Sequence, residues 1–259
     1  MKAREVLIYL SVKFQGDWDK IYEFISKRKK VDIDDAGPFV ESMNINAVTI
    51  LDEEYPQQLK RVEKPPFVLF YIGDLSIAED YTKIVAVIGS RECSKYGIKH
   101  TRSIVKGISE ELVVVSGMAI GIDSVAQNEC LCHNGKTIAV LGSGIDVCYP
   151  QSNKHLYEEI KNKGLVISEY PPGVEAIPSN FPKRNRIIAG LSKSLIVTEA
   201  YRKSGTMITV YVASTIGVDV CCVPYPAGDE SACNFLIKQG AFLVESAKDV
   251  LEVTTDKKW

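Results

Sequence analysis

The stretch whose reading decides the fold is IVAVIGSR, residues 84–91. Five apolar residues, four of them β-branched, run unbroken into Gly-Ser-Arg. A continuous apolar run of this length suits a strand buried on both faces, as in a parallel sheet. Gly89 lets the chain turn sharply, which leaves Ser90 and Arg91 at the carboxyl end of the strand. In open α/β sheets ligands bind at that end. Backbone N–H groups, a hydroxyl and a guanidinium gathered there suit a phosphate.

The pattern continues on the C-terminal side. Ser94 is placed to cap a helix reaching about Glu111, with Gly97 and Gly107 as weak points. LVVV (112–115) reads as a strand, SGMAIGID as a second glycine loop, and a helix follows to Asn134 with Gly135 as its C-cap. TIAVL (137–141), LVIS (165–168), SLIVTE (194–199), DVCCV (219–223) and AFLV (241–244) read as further strands. Helices are expected from Ser152 or Asn153 to Gly164, from Thr206 to Ile216, after residue 230, and around Ser246–Glu252. Strand–loop–helix units recurring in this way predict an α/β protein with a doubly wound, mostly parallel, Rossmann-like sheet. On the N-terminal side, AVTIL and FVLFYIG read as short strands of a lead-in that packs on the main sheet. Before them, Val6 to Met43 reads as helical, with Lys27 to Lys30 in a last turn and Gly37-Pro38 breaking the pattern before a short helix. This predicts a small helical domain over 1–43 and a main domain over 44–259.

The glycines cluster after strands, at Gly89, Gly117 and Gly121, Gly142 and Gly144, and Gly205. Each of these loops also carries a hydroxyl, from Ser90, Ser116, Ser143, or Ser204 with Thr206. In a doubly wound sheet they share one rim and form an anion-binding surface. GSGIDV (142–147) lacks the third glycine of a dinucleotide fingerprint, and Pro150 intervenes before the next helix. No GxxxxGK[ST] loop is present.

The 259 residues carry a formal net charge of −2, so nucleic-acid binding requires a local patch. No apolar run reaches the ~18 residues of a membrane span, and the N-terminus lacks the form of a signal peptide. The seven cysteines, odd in number and mostly in apolar segments, read as reduced thiols of a cytoplasmic protein. His100, His133 and His155 fall on helices away from the rim. Cys130, Cys132 and His133 lack a fourth ligand at metal spacing, so neither metal nor cofactor is expected. Asp123 and Glu199 belong to the rim, where either can orient a loop by accepting N–H bonds or act as an acid or base; the place of Asp123 in GID favours a cap of the helix that follows it.

FPKRNRIIAGLS (181–192) reads as a basic loop tethered by an apolar helix. Lys183, Arg184 and Arg186 flank Asn185, and Phe181 offers a stacking surface for an unpaired base. Lys193, Arg202 and Lys203 lie close in sequence. The combination points to single-stranded nucleic acid.

Seven motifs then resemble one family in order and spacing. They are VIGSR (87–91), SGMAIGID (116–123), GKTIAVLGSGIDVCYP (135–150), SEYPPG (168–173), FPKRNRIIAGLS (181–192), TEAYRKSGTMIT (198–209) and NFLIKQGA (234–241). With EEYPQQL and PPFVLFYIG they resemble the DNA-processing protein A (DprA, also called Smf) family. The resemblance implies an extended Rossmann-like domain that binds single-stranded DNA as a homodimer and helps load RecA recombinase on incoming DNA during natural transformation, without catalysis. It implies a sterile-alpha-motif-like domain at 1–43, and no winged-helix domain is expected after the main one. It implies phosphate contacts from Gly89, Ser90, Arg91, Ser116, Gly117, Lys183, Arg184, Asn185, Arg186, Ser204, Gly205 and Thr206, and base stacking by Phe181. Gln127, Gln151, Pro178 and Ala232 depart from the family's usual His, Lys, Lys and Gly. Fewer cations predict a weaker salt dependence of binding. The competing reading is a nucleotide sensor or a nucleoside-monophosphate phosphoribohydrolase. Against hydrolysis, SGTMIT is not followed by a Glu. Apolar residues near 218–244 suit either a dimer surface or core packing.

Overall fold

The computed structural model describes residues 2–31 and 45–255. Nine strands form one sheet in the order β1-β2-β6-β5-β4-β3-β7-β8-β9. They are β1 (Asn46–Thr49), β2 (Val68–Gly73), β3 (Ile84–Gly89), β4 (Val113–Ser116), β5 (Thr137–Leu141), β6 (Leu165–Ser168), β7 (Ser194–Glu199), β8 (Asp219–Cys222) and β9 (Phe242–Leu243). From β6 to β9 all pairings are parallel. The lead-in strands pair antiparallel, β1 with β2 and β2 with β6.

The opening stretch behaves as its composition requires. Ile84, Ala86 and Ile88 enter one hydrophobic cluster, and Val85 and Val87 enter another. The alternation of a strand sends successive side chains to opposite faces, so a strand covered on both faces must be apolar throughout. The first face is covered by α6 (Asn180–Leu191), α7 (Gly205–Thr215) and α8 (Ala232–Lys238), through Ile187, Leu191, Val210 and Leu236. The second is covered by α3 (Lys95–Ile108), α4 (Ile122–Cys132) and α9 (Ala247–Thr254), through Ile104, Ile108, Ile122 and Val250. Further along that face lies α5 (Lys154–Lys163), through Leu156 and Ile160. The N-terminal helices α1 (Ala3–Lys13) and α2 (Trp18–Ser26) pack on the lead-in. Leu7 and Ile8 share a cluster with Val68 and Phe70. Trp18 donates its indole N–H to the Pro65 carbonyl at 2.8 Å and stacks on Phe67. No described helix is long and apolar enough to cross a membrane.

Four local expectations are corrected. Most of 181–192 is helical, not a loop: the helix runs Asn180–Leu191 and Ser192 is its extended C-cap. Pro182 sits in the first turn, where its missing N–H costs no helical bond, and Ile187, Ile188 and Leu191 draw that helix onto the sheet. The left-handed position closing α4 falls on Asn134 (φ 56°), not Gly135. Helix α2 stops at Ser26, so Lys27 to Lys30 lie past its last turn, with Lys27 paired to Glu23 at 2.6 Å. The N-cap of α4 is Gly121, so Asp123 sits inside the first turn rather than capping it. The expected break at Gly37-Pro38 lies outside the described residues.

Ile196 lies fully buried on β7 between β3 and β8. Ile196→Ala is expected to lower the unfolding free energy by about 2–5 kcal/mol. A urea titration would show this as a lower midpoint with an unchanged slope.

Candidate nucleic-acid interface

Strands β3, β4, β5 and β6 step outward in one direction, and β7, β8 and β9 in the other. The order therefore reverses between β3 and β7, and the crevice at such a reversal is the favoured ligand position of an open α/β sheet. An open groove of ≈ 510 Å³ lies there. Its walls bring together Gly89, Ser90 and Arg91 after β3, and Ser204, Gly205 and Thr206 after β7. Phe181, Arg184 and Asn185 reach it from α6.

Local bonds fix this crevice. The β3–β7 register shifts at Gly89, and the Ser90 N–H donates to the Glu199 carbonyl at 2.8 Å. Thr206 donates its hydroxyl to the Gly89 carbonyl at 3.0 Å, tying α7 to the end of β3. The Glu199 carboxylate is buried and accepts from both the N–H and the hydroxyl of Ser94, at 2.9 and 3.0 Å. The loop 90–94 is thus held at both ends. Arg91 is exposed, with its guanidinium 5.7 Å over the Phe181 ring.

Arg184 differs from its expected role. It is 4% exposed and donates to the carbonyls of Gly117, at 2.8 Å, and Val140. The guanidinium lies so close under the β4 loop that a Cβ at Gly117 would meet it at 2.5 Å. Burial pulls its pKa down to about 10 against the opposing field of Asp123, with Arg91 adding to the fall. Asp123 accepts from the Gly117 N–H at 3.1 Å, so it closes the loop before its helix. Burial raises its pKa and Arg184 counters the rise. Ser116 is also internal, its hydroxyl donating to the Val87 carbonyl at 2.6 Å. In this structure Ser116, Gly117 and Arg184 form the floor beneath the groove rather than an open phosphate surface.

Arg186 turns the other way, into a separate cleft against α1 and α2 that Lys183 also lines. It pairs with buried Glu169 at 2.6 Å and donates to the Lys64 carbonyl at 2.9 Å. The pair leaves Arg186 engaged and Lys183 exposed at the edge. Burial pushes the Glu169 carboxyl up, and Arg186 counters this.

The groove residues that the sequence does not point to include two aromatics, Tyr149 and Tyr201. Tyr149 lies 5.4 Å from Phe181, centroid to centroid. A Cβ at Gly142 would meet the Phe181 ring at 2.8 Å, so glycine is what lets that ring seat. The signal for Tyr149 was its place at the end of GSGIDVCYP. Lys203, named only for its nearness in sequence, also lines the groove. Cys130, Cys148, Cys221, Cys222 and Cys233 are buried thiols. Among the described residues no three His, Cys, Asp or Glu side chains are grouped to hold a metal ion.

The family model for DNA recombination-mediator protein A matches residues 46–255. The chain belongs to that family. DNA processing protein DprA of Streptococcus pneumoniae is 46% identical over 221 residues, covering 85% of this chain and 78% of its own length. Protein Smf of Synechocystis is 40% identical over 216 residues, covering 82% of this chain and 54% of its own. An X-ray structure of DprA from Streptococcus pneumoniae matches with TM-score 0.80 at 39% identity, over 96% of this chain and 92% of that one. A Helicobacter pylori DNA processing protein A structure, described for its single-stranded DNA binding mode, matches with TM-score 0.74 at 27% identity. It covers 83% of this chain and 99% of that one.

Removing one partner of a buried charge cluster leaves the other uncompensated. Arg184→Met should therefore lower stability by about 3–5 kcal/mol in denaturant titration. Arg186→Gln should show a pH-dependent deficit. A carboxyl with a raised folded pKa gives its full stability below the ordinary carboxylate value, about 4.3, and loses it as pH rises through the folded pKa. Without Arg186 the Glu169 pKa rises further. The deficit should thus be small near pH 4.5 and approach about 3 kcal/mol by pH 8, measured as urea midpoints across that range.

Proposed function

We propose that the chain is a non-catalytic single-stranded DNA-binding protein of DNA processing. On this reading it protects incoming DNA and helps load RecA recombinase in natural transformation, in the cytoplasm and as a homodimer. The observation that carries the reading is the groove at the sheet's reversal point, where Arg91, Lys203, an aromatic pair and the hydroxyl-bearing loops 89–91 and 204–206 converge. Backbone donors and a forked cation suit phosphates, and aromatic rings suit unpaired bases. The Helicobacter pylori relative's binding mode supports the same ligand class. Gly89, Ser90, Arg91, Asn185, Ser204, Gly205 and Thr206 are the proposed direct contacts, and Lys183 continues the cationic path past α6. Ser116, Gly117 and Arg184 are proposed to act from beneath, by setting the loops' positions. The family resemblance supports the RecA role. Exposed Phe242 and Leu243 on the outermost strand support self-association. We also propose a division into a helical accessory domain at 1–43 and a DNA-binding domain at 44–259.

The hydrolase alternative loses support from Glu199. The one acid at the end of β7 is buried, with one carboxylate oxygen on Ser94 and the other on the Tyr201 hydroxyl, which suits a structural tie.

Fluorescence anisotropy with labelled single-stranded and duplex oligonucleotides, at several salt concentrations, tests the proposal. Arg91→Ala should weaken single-strand binding by about 1.5–3 kcal/mol and reduce the salt slope by about 0.7. Its denaturation midpoint should shift little, as for an exposed side chain. Equal affinity for duplex and single strand would overturn the reading. RecA filament growth with and without the chain tests the loading role, and an unchanged rate would remove it.

A further inference from the structure

We propose that Tyr149 is the residue that stacks on an unpaired nucleobase in this groove, with Phe181 serving as its support. The inference rests on the single-stranded DNA reading of the same groove.

Phe181 is the ring that composition alone singles out, but its surroundings are already occupied. The Arg91 guanidinium lies over it at 5.7 Å, Tyr149 lies beside it, and Gly142 comes so near its edge that a Cβ there would meet it at 2.8 Å. A base held between two rings needs centroids about 7 Å apart, twice the ~3.5 Å contact distance. Tyr149 and Phe181 are 5.4 Å apart and inclined by 35°. No base enters between them at that spacing. Of this pair the open face is therefore that of Tyr149, which is 49% exposed and lines the groove; Tyr201, 43% exposed in the same groove, is the other open ring, and its hydroxyl is engaged by Glu199.

The polar end of Tyr149 does not account for its position. Buried Tyr55 and Tyr157 each donate a hydroxyl to a backbone carbonyl, at 2.9 and 2.7 Å. Tyr201, in the same groove, directs its hydroxyl to Glu199 at 3.4 Å. The Tyr149 hydroxyl makes no hydrogen bond among the described residues. The ring is nevertheless mounted on fixed backbone. Ser143 donates to the Val147 carbonyl at 2.7 Å, Gln151 to Cys148 at 3.1 Å, and Asn153 to Met118 at 2.9 Å. An exposed ring on a tied loop loses little freedom when a flat ligand covers it. Every base has a π-face, so such a platform tolerates sequence and takes only bases free of a duplex stack. Gln151 spends its amide on holding this turn.

The test uses the full chain, an oligothymidylate and an abasic oligonucleotide of equal length, read by anisotropy. Tyr149→Ala should weaken oligothymidylate binding about tenfold, the size expected of one stacked base, and leave abasic binding unchanged. Tyr149→Phe should bind as the unsubstituted chain does. Tyr211→Ala, removing a 73%-exposed ring outside the groove, should change neither. An equal loss on both oligonucleotides, or none on either, would overturn the proposal while leaving the groove's ligand class standing. Failure of the unsubstituted chain to bind either oligonucleotide would overturn the parent reading and this one with it.

Discussion

One buried guanidinium organises the groove. Arg184 rises from α6 and donates to carbonyls at or just past the ends of two adjacent strands, Gly117 after β4 and Val140 in β5. A desolvated cation is costly unless its donors are used, so this one constrains everything near it. It requires glycine at 117, keeps Asp123 close as a compensating charge, and draws the first turns of α6 down onto the sheet. With α6 so placed, Phe181 meets Gly142 and Arg91 reaches across to its ring. The exposed contacts are thus arranged by a residue that is itself almost hidden.

The second constraint is topological. Because the strand order reverses between β3 and β7, the chain leaves these two strands toward opposite faces of the sheet, to α3 after β3 and to α7 after β7, and room is left between the facing loops. The Thr206 hydroxyl on the Gly89 carbonyl and the Ser90 N–H on the Glu199 carbonyl close the bottom of that room, and the Glu199 carboxylate locks the start of α3. The loops retain little freedom, which suits recognition of a ligand whose own chain is flexible.

Much of this was legible in the residues. The unbroken apolar strand at 84–88, the glycine–hydroxyl loops and the alternation of elements led to the sheet, and the hydroxyl-bearing loops 89–91 and 204–206 do converge. Three cations in four residues at 183–186 read as a basic loop tethered by a helix, whereas they lie on the helix itself. Their fates depend on partners far away in sequence: Gly117 and Val140 for Arg184, and Glu169 for Arg186. No local pattern encodes such pairings. Pro182 lies in the first turn of that helix, a position that accepts proline. Tyr149 was passed over because an aromatic after a glycine loop looks like turn punctuation until its neighbour across the groove is known.

The seating of Trp18 has an optical consequence. Its indole is stacked between Tyr22 and Phe67, with its N–H bound to the Pro65 carbonyl at the seam between the N-terminal helices and the lead-in strands. Lys64 lies 5.6 Å from the ring. An indole so packed has an emission colour and intensity set by the seam being closed. If the helices lift away, the ring meets water and its emission shifts to the red. Trp18 is therefore an intrinsic reporter of docking between the N-terminal helices and the sheet, readable without a label over the emission of the second tryptophan, Trp259.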